Sequence, residues 1–83
     1  MYYVYVLKSK KKDWLYVGFS DNLKRRFKEH QNGLSVATRP YRPFELVFYE
    51  AYKSKRDAQK REIYFKTTKG KRALKLMLQE SLL

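Results

Sequence analysis

Six side chains in this chain have types and placements that suit chemistry on a phosphate: Tyr5, Tyr16, Arg26, His30, Glu50 and Glu62. Most of the other acidic residues have an evident structural use. Asp13 falls in a lysine-rich loop, Asp21 and Asp57 stand at helix starts, Glu29 faces solvent, Glu45 begins a strand and Glu80 lies in the tail. Glu50 and Glu62 are left as inward carboxylates. One or two of these beside cationic groups make the composition of a Mg²⁺ site that waters and a substrate phosphate complete. The structural alternative is a buried Glu62–Arg26 salt bridge.

Helical periodicity sharpens the choice. Counting 100° per residue from Leu23, Phe27 falls at about +40°, His30 at about −20° and Arg26 at about −60°. Arg26 and His30 thus share the arc that faces a core, and Lys24, Arg25, Lys28 and Glu29 do not. An arginine on that arc needs an anion or a strong acceptor, because burying it alone is costly. Otherwise it snorkels over apolar surface or pairs with Glu50 or Glu62. The same count from Ala58 puts Phe65, Arg61 and Glu62 on one face of a second helix.

Tyr5 and Tyr16 lie in neighbouring runs of strand character. If the hairpin is centred between Lys10 and Lys11, they are directly opposite, with Cβ atoms about 5 Å apart. An aromatic cross-strand pair is also ordinary packing. Gly18 leaves a side-chain-free spot on the same face, where a backbone or a ligand could approach closely. Other chemistries fall away. His30 is the only histidine, so histidine-based metal clusters are excluded. The glycines at 18, 33 and 70 are too dispersed for a phosphate-cradling loop. The absence of cysteine excludes disulfides and thiolate metal sites.

The elements that must position these residues are short. Tyr2 to Leu7 and Trp14 to Phe19 are β-branched and aromatic runs that predict strands. Neither alternates cleanly with polar residues, as expected of a sheet covered on both faces. Lys8 to Asp13 is polar and flexible and closes a hairpin. Ser20 and Asp21 are N-cap candidates for a helix through about His30, which Asn32-Gly33 ends. Leu34 to Pro43 is a loop with two Arg-Pro steps, each pushing its arginine toward extended backbone. Phe44 to Tyr52 is a third strand. Ser54 to Asp57 fits a capping box for a helix to about Lys66, and Lys71 to Leu83 an amphipathic closing helix. The order β-β-α-β-α-α predicts an α+β fold, one three-stranded antiparallel sheet flanked by helices. All 83 residues form one domain, 1–83.

Lys and Arg number 20 against 8 Asp and Glu, for a net charge of +12. Such self-repulsion points to a polyanionic partner, here nucleic acid. From Lys53 to Lys75 ten basic residues face only Asp57 and Glu62, a stripe suited to salt-sensitive phosphate binding. No apolar run approaches the ~20 residues a bilayer requires, and no long apolar face opposes the lysines as on a membrane-surface helix. The apolar start precedes its lysines, the reverse of a signal peptide. A soluble, cytoplasmic protein without membrane contact is the expectation.

Tyr3-Val4-Tyr5 followed by Tyr16-Val17-Gly18 resembles the paired motif of GIY-YIG nucleases. Asn22 to Arg26 stands where that family has its helix arginine. His30, the Thr38 to Pro43 loop, Leu46-Val47, Glu50, Ala58 to Glu62 and Lys66 continue the match over nearly the whole chain. The chain is similar to small stand-alone bacterial members and to the nuclease domain that opens the excinuclease C subunit of DNA repair. Tyr3 stands where the first motif usually has glycine, Phe19 where the repair enzyme has lysine, and no asparagine follows Glu62.

The resemblance implies a GIY-YIG fold and a single-metal endonuclease hydrolysing DNA that is structured, damaged or single-stranded, in repair or recombination. Glu62 would hold Mg²⁺ or Mn²⁺. Arg26 would grip the scissile phosphate, Tyr16 or Tyr5 would help activate water, and His30 would support or relay the proton. Gly18, Ser20, Arg39, Arg42 and Lys66 are the further residues expected to touch nucleic acid. Targeting would fall to DNA structure, a dimer or a partner protein, the chain itself being a monomer or weak dimer. The alternative is a catalytically weak or inactive nucleic-acid-binding module with the same fold and charge.

Overall fold

The central strand of the protein is the first one made. In the computed structural model, which describes residues 1–83, β1 (Tyr2–Ser9) pairs antiparallel with both β2 (Leu15–Ser20) and β3 (Phe44–Tyr52), in the sheet order β2-β1-β3. Helix α1 (Leu23–Gln31) follows β2, and α2 (Lys55–Lys66) and α3 (Thr68–Met77) follow β3. The architecture is the α+β arrangement that the residue pattern predicts.

Being central, β1 is buried on both sides, which explains why its apolar residues do not alternate with polar ones. Val4 and Val6 point to a core shared with Ala58, Phe65, Leu74 and Leu78 of α2 and the α3 end. Tyr5 and Leu7 point the other way, to a core with Phe44 that Leu23 and Phe27 of α1 pack against. The candidate tyrosine therefore sits under α1, on the opposite face from the main α2–α3 contact. A bulge between Val6 and Leu7 shifts the β1–β3 register.

The hairpin register differs from the sequence expectation. Tyr5 pairs with Gly18 and Leu7 with Tyr16, so Tyr5 and Tyr16 are offset by two positions rather than opposed. The cause is the lysine loop, which is held rather than loose. Ser9 Oγ accepts from the backbone N–H groups of Lys11 and Lys12 and donates to Tyr41 O, and Ser9 N–H donates to Trp14 O. An offset of two keeps both tyrosines on one face, since strand side chains alternate with period 2.

Local capping fixes the helix starts. Asn22, not Ser20 or Asp21, caps α1, its side chain accepting from Arg25 N–H at 3.0 Å. Ser54 caps α2 as expected, accepting from Asp57 N–H. The closing helix is the larger departure from Lys71 to Leu83: Thr67 Oγ1 accepts from Gly70 N–H and starts α3 at Thr68, and the helix ends at Met77. Gly70 lies inside its first turn because a Cβ there would collide with the Tyr64 carbonyl, so glycine permits close packing of α3 on α2. Arg39 opens a 3₁₀ turn (Arg39–Tyr41) instead of lying extended; Arg42 is extended, with ψ 153°.

Candidate active site

The site is organised around Tyr5. Only 1% of this residue is exposed, and its ring lies over Gly18, whose missing side chain makes the space: a Cβ at position 18 would overlap Tyr5 Cζ and Oη. The bare spot on the sheet is thus filled by the protein's own phenol rather than left open to a ligand. From there Tyr5 Oη reaches His30 Nε2 at 2.8 Å, and His30 Nδ1 meets Thr38 Oγ1 at 2.8 Å. His30 and Thr38 are both fully buried. Three elements (β1, α1 and the loop before the 3₁₀ turn) are tied by this chain of bonds.

The electrostatics fix the protonation of the chain. Burial, with the Arg26 guanidinium adding to it, pulls His30 down from its ordinary 6.5 to about 4. His30 is therefore neutral at pH 7, with one ring nitrogen donating and the other accepting. Burial, then the neighbouring Tyr16, pushes Tyr5 up to about 12, against the pull of Arg26. A protonated Tyr5 donating to His30 Nε2 is consistent with both shifts, leaving His30 Nδ1–H to donate to Thr38.

Around this buried chain stand four more exposed groups. The Tyr16 ring centroid lies 6.3 Å from that of Tyr5 and 5.2 Å from that of His30. Arg26 is half-buried, close enough to the Tyr5 phenol to act on it, and donates to Glu29 Oε1 at 3.0 Å. Neither Glu50 nor Glu62 is its partner. Glu62, on α2, is also half-buried, and its charge acts on Tyr5. Its Oε2 accepts from Lys66 Nζ at 3.1 Å, and Lys66 Nζ stands 5.9 Å from the Tyr16 ring centroid. The buried Glu62–Arg26 salt bridge that the sequence left open is not formed.

Tyr5, Tyr16, Arg26, His30, Glu62, Lys66 and Gly18 are thus brought together. Ser20 lines the depression that holds Arg26, but its Oγ is spent locally, accepting from Asn22 N–H and donating to Asn22 O. Other sequence candidates lie apart. Arg39 and Arg42 line a separate depression with Lys11 and Gln31, where Arg39 Nε donates to Gly33 O at 2.7 Å. Glu50 has a structural use after all: Arg61 donates to both its oxygens, at 2.8 and 3.2 Å, and Tyr52 Oη to one at 2.6 Å. Sequence reasoning missed two participants. Glu29 pairs with Arg26 instead of facing solvent, at a spacing of three that allows a helical pair. Thr38 lies in a loop without periodicity, and only the family resemblance of the Thr38 to Pro43 loop touches it, with no role attached.

A single carboxylate limits what metal chemistry the site supports. No group of three or more His, Cys, Asp or Glu side chains converges anywhere. Glu62 keeps Oε1 without a protein partner, a hard oxygen of the kind Mg²⁺ and Mn²⁺ prefer. Such a cation suits a site with one protein ligand, because it retains several waters and binds substrate phosphate. The donor set fits.

The motif, the sheet order and this cluster define a class. Residues 1–75 match the family model of the GIY-YIG catalytic domain, and the chain belongs to that family, whose fold it has. Such a domain points to a nuclease acting on nucleic acid, and GIY-YIG nucleases generally depend on a divalent metal. Its relatives are small bacterial proteins. It is 41% identical over 83 residues to a UPF0213 protein of Clostridium perfringens, covering 99% of this chain and 88% of that one. It is 39% identical over 66 residues to the UPF0213 protein YazA of Bacillus subtilis, covering 78% and 66%. With a UPF0213 protein of Staphylococcus saprophyticus it shares 35% over 77 residues, covering 92% and 93%. No solved structure matches the chain significantly. No helix is long and apolar enough to cross a membrane.

Proposed function

We propose that the protein is a metal-dependent endonuclease that hydrolyses phosphodiester bonds in DNA. The observation that carries this reading is Glu62, a half-buried carboxylate with a free oxygen, bonded to Lys66 beside the Tyr16 ring, which neighbours Tyr5, on a molecule of net charge +12. A module that only binds phosphate gains nothing from such a carboxylate, which repels its ligand.

In this reading Glu62 would hold Mg²⁺ or Mn²⁺ through its free Oε1, and the ion would supply Lewis-acid stabilisation of the phosphoryl oxygens. The Arg26 guanidinium binds the scissile phosphate and stabilises the charge that develops on it, being preorganised by Glu29. Tyr16 is the phenol that meets the attacking water, because Tyr5 is 1% exposed and its hydroxyl is committed to His30. Tyr16 acts as its phenolate, its own proton first lost to solvent: it takes a proton from water as the water oxygen bonds to phosphorus, the P–O ester bond breaks, and the leaving alkoxide takes a proton from solvent. Tyr5, His30 and Thr38 hold the sheet face and α1 in register. Lys66, between Glu62 and Tyr16, adds positive charge beside the reacting phosphate.

The Glu62–Lys66 pair has i,i+4 spacing, common on any helix surface, and this favours the second reading of a binding module without catalysis. One experiment separates the two. Purified protein is incubated with single-stranded, duplex, flap and four-way DNA in Mg²⁺, Mn²⁺ or EDTA, beside Glu62→Gln. Metal-dependent cleavage that Glu62→Gln abolishes, with DNA affinity equal or higher, supports the nuclease. Salt-sensitive binding by the wild type with no cleavage of any substrate supports the module.

A further inference from the structure

Between α1 and the β1–β3 half of the sheet runs a groove of about 830 Å³ that the catalytic reading does not use. Helix α1 has 9 residues, so it spans only about 13 Å and covers part of the sheet. Its floor is apolar and aromatic, with Tyr3, Phe27, Leu46 and Tyr49, and Lys24 and Lys28 stand on its α1 rim. Tyr3 and Tyr49 meet edge to face, ring centroids 6.1 Å apart at 62°. Tyr49 is 54% exposed in the middle of a strand.

An exposed aromatic surface edged by lysines is complementary to one chemistry in particular. Unpaired bases stack on aromatic side chains exposed on a sheet, while cationic residues track the phosphates beside them. A duplex keeps its bases stacked within and cannot use such a floor. The groove also adjoins the depression that holds Arg26. Tyr3 and Tyr5 point to the same face of β1. Asp21 borders both the groove and the depression that holds Arg26, with its carboxylate turned to Arg25 at 3.3 Å. A strand gripped at Arg26 could therefore pass the start of α1 and enter the groove.

We propose that this groove binds an unpaired base of single-stranded nucleic acid, stacked on Tyr49 with its phosphates against Lys24 and Lys28. The groove thereby selects single strands over duplexes. The inference takes its ligand class from the nuclease reading, but the binding requires no cleavage.

The test measures binding of a short single-stranded DNA and of the same sequence as duplex, in EDTA, to wild type, Tyr49→Ala and Tyr49→Trp. Because Tyr49 is exposed, neither change opens the core. Tyr49→Ala is expected to weaken single-strand binding about tenfold or more and leave duplex binding unchanged. Tyr49→Trp is expected to retain the affinity, with its fluorescence quenched on binding. Cleavage is assayed separately with metal. If the wild type cleaves nothing and Tyr49→Ala still loses single strands selectively, the groove stands and the nuclease reading falls. If the wild type cleaves and Tyr49→Ala binds single strands normally, the groove inference is overturned. Equal losses on both ligands overturn it too, as does a wild-type dimer that Tyr49→Ala dissociates while single-strand binding persists.

Discussion

Tyr5 occupies the volume that a side chain at Gly18 would fill, and this places its hydroxyl on His30. A methyl group at position 18 must therefore displace the ring. Gly18→Ala is expected to destabilise the protein by about 1–3 kcal/mol, the usual range for overpacking. It should also break the Tyr5–His30 bond. Urea unfolding gives the first quantity, and the His30 ring signals in an NMR titration report the second. An unchanged His30 environment would mean that the ring has other room.

His30 is buried in the neutral form, and a pH dependence of stability follows. The unfolded chain takes up a proton near the ordinary value of 6.5, whereas the folded protein resists until about 4. The folded value is depressed, so the stability it contributes is complete above about 6.5 and is lost progressively as pH falls toward 4. The loss for this one group is about 3 kcal/mol, from 1.36 kcal/mol per pKa unit. Unfolding free energies across this window should fall less steeply for His30→Gln than for wild type. Parallel curves would show that other groups carry the acid sensitivity.

Glu50 tests the division between structural and catalytic carboxylates. Burial opposes its ionisation, but hydrogen bonds from Arg61 and Tyr52 outweigh that and hold it below the usual carboxylate range. Its stabilising effect is thus present above the unfolded pKa and lost as pH falls through the folded one. At neutral pH Glu50→Gln is expected to cost about 1–3 kcal/mol, as for hydrogen bonds to charged groups. Metal-dependent cleavage by the folded variant should persist. Complete loss of cleavage in a protein of unchanged stability would move Glu50 into the site.

Much of this architecture was legible in the residues, and the failures have physical causes. The third strand runs over Phe44–Tyr52 as its composition predicts, and Ser54 caps α2, because both are set by local preferences. The hairpin register departs from the sequence expectation because it depends on the Ser9 hydroxyl and on Tyr41, 32 residues away. The helical wheel put His30 and Arg26 on the inner arc, where one is buried and the other half-buried. It could not name their partners. Thr38 reaches His30 only through the path of a loop. Glu29 and Lys66 were adjacent in helical spacing to Arg26 and Glu62, but a wheel ranks faces and does not choose among side chains long enough to swing.

Arg25 and Arg26 are neighbours on one helix with the same charge, so they isolate position from electrostatics. The Arg25 side chain is 60% exposed and pairs with Asp21, whereas that of Arg26 is 31% exposed and acts on Tyr5. If Arg26 stabilises charge on the reacting phosphate, Arg26→Ala should lower the cleavage rate roughly 10²–10³-fold, the scale for losing one preorganised donor. Arg25→Ala removes only a surface charge and a weak ion pair. It should weaken DNA binding slightly, more at low salt than at high, and leave the single-turnover rate nearly unchanged. Single-turnover kinetics at saturating protein separate the two effects, because binding is then complete in every variant. Equal rate losses for both would reduce Arg26 to one cation among 20 and remove the geometric basis of the site.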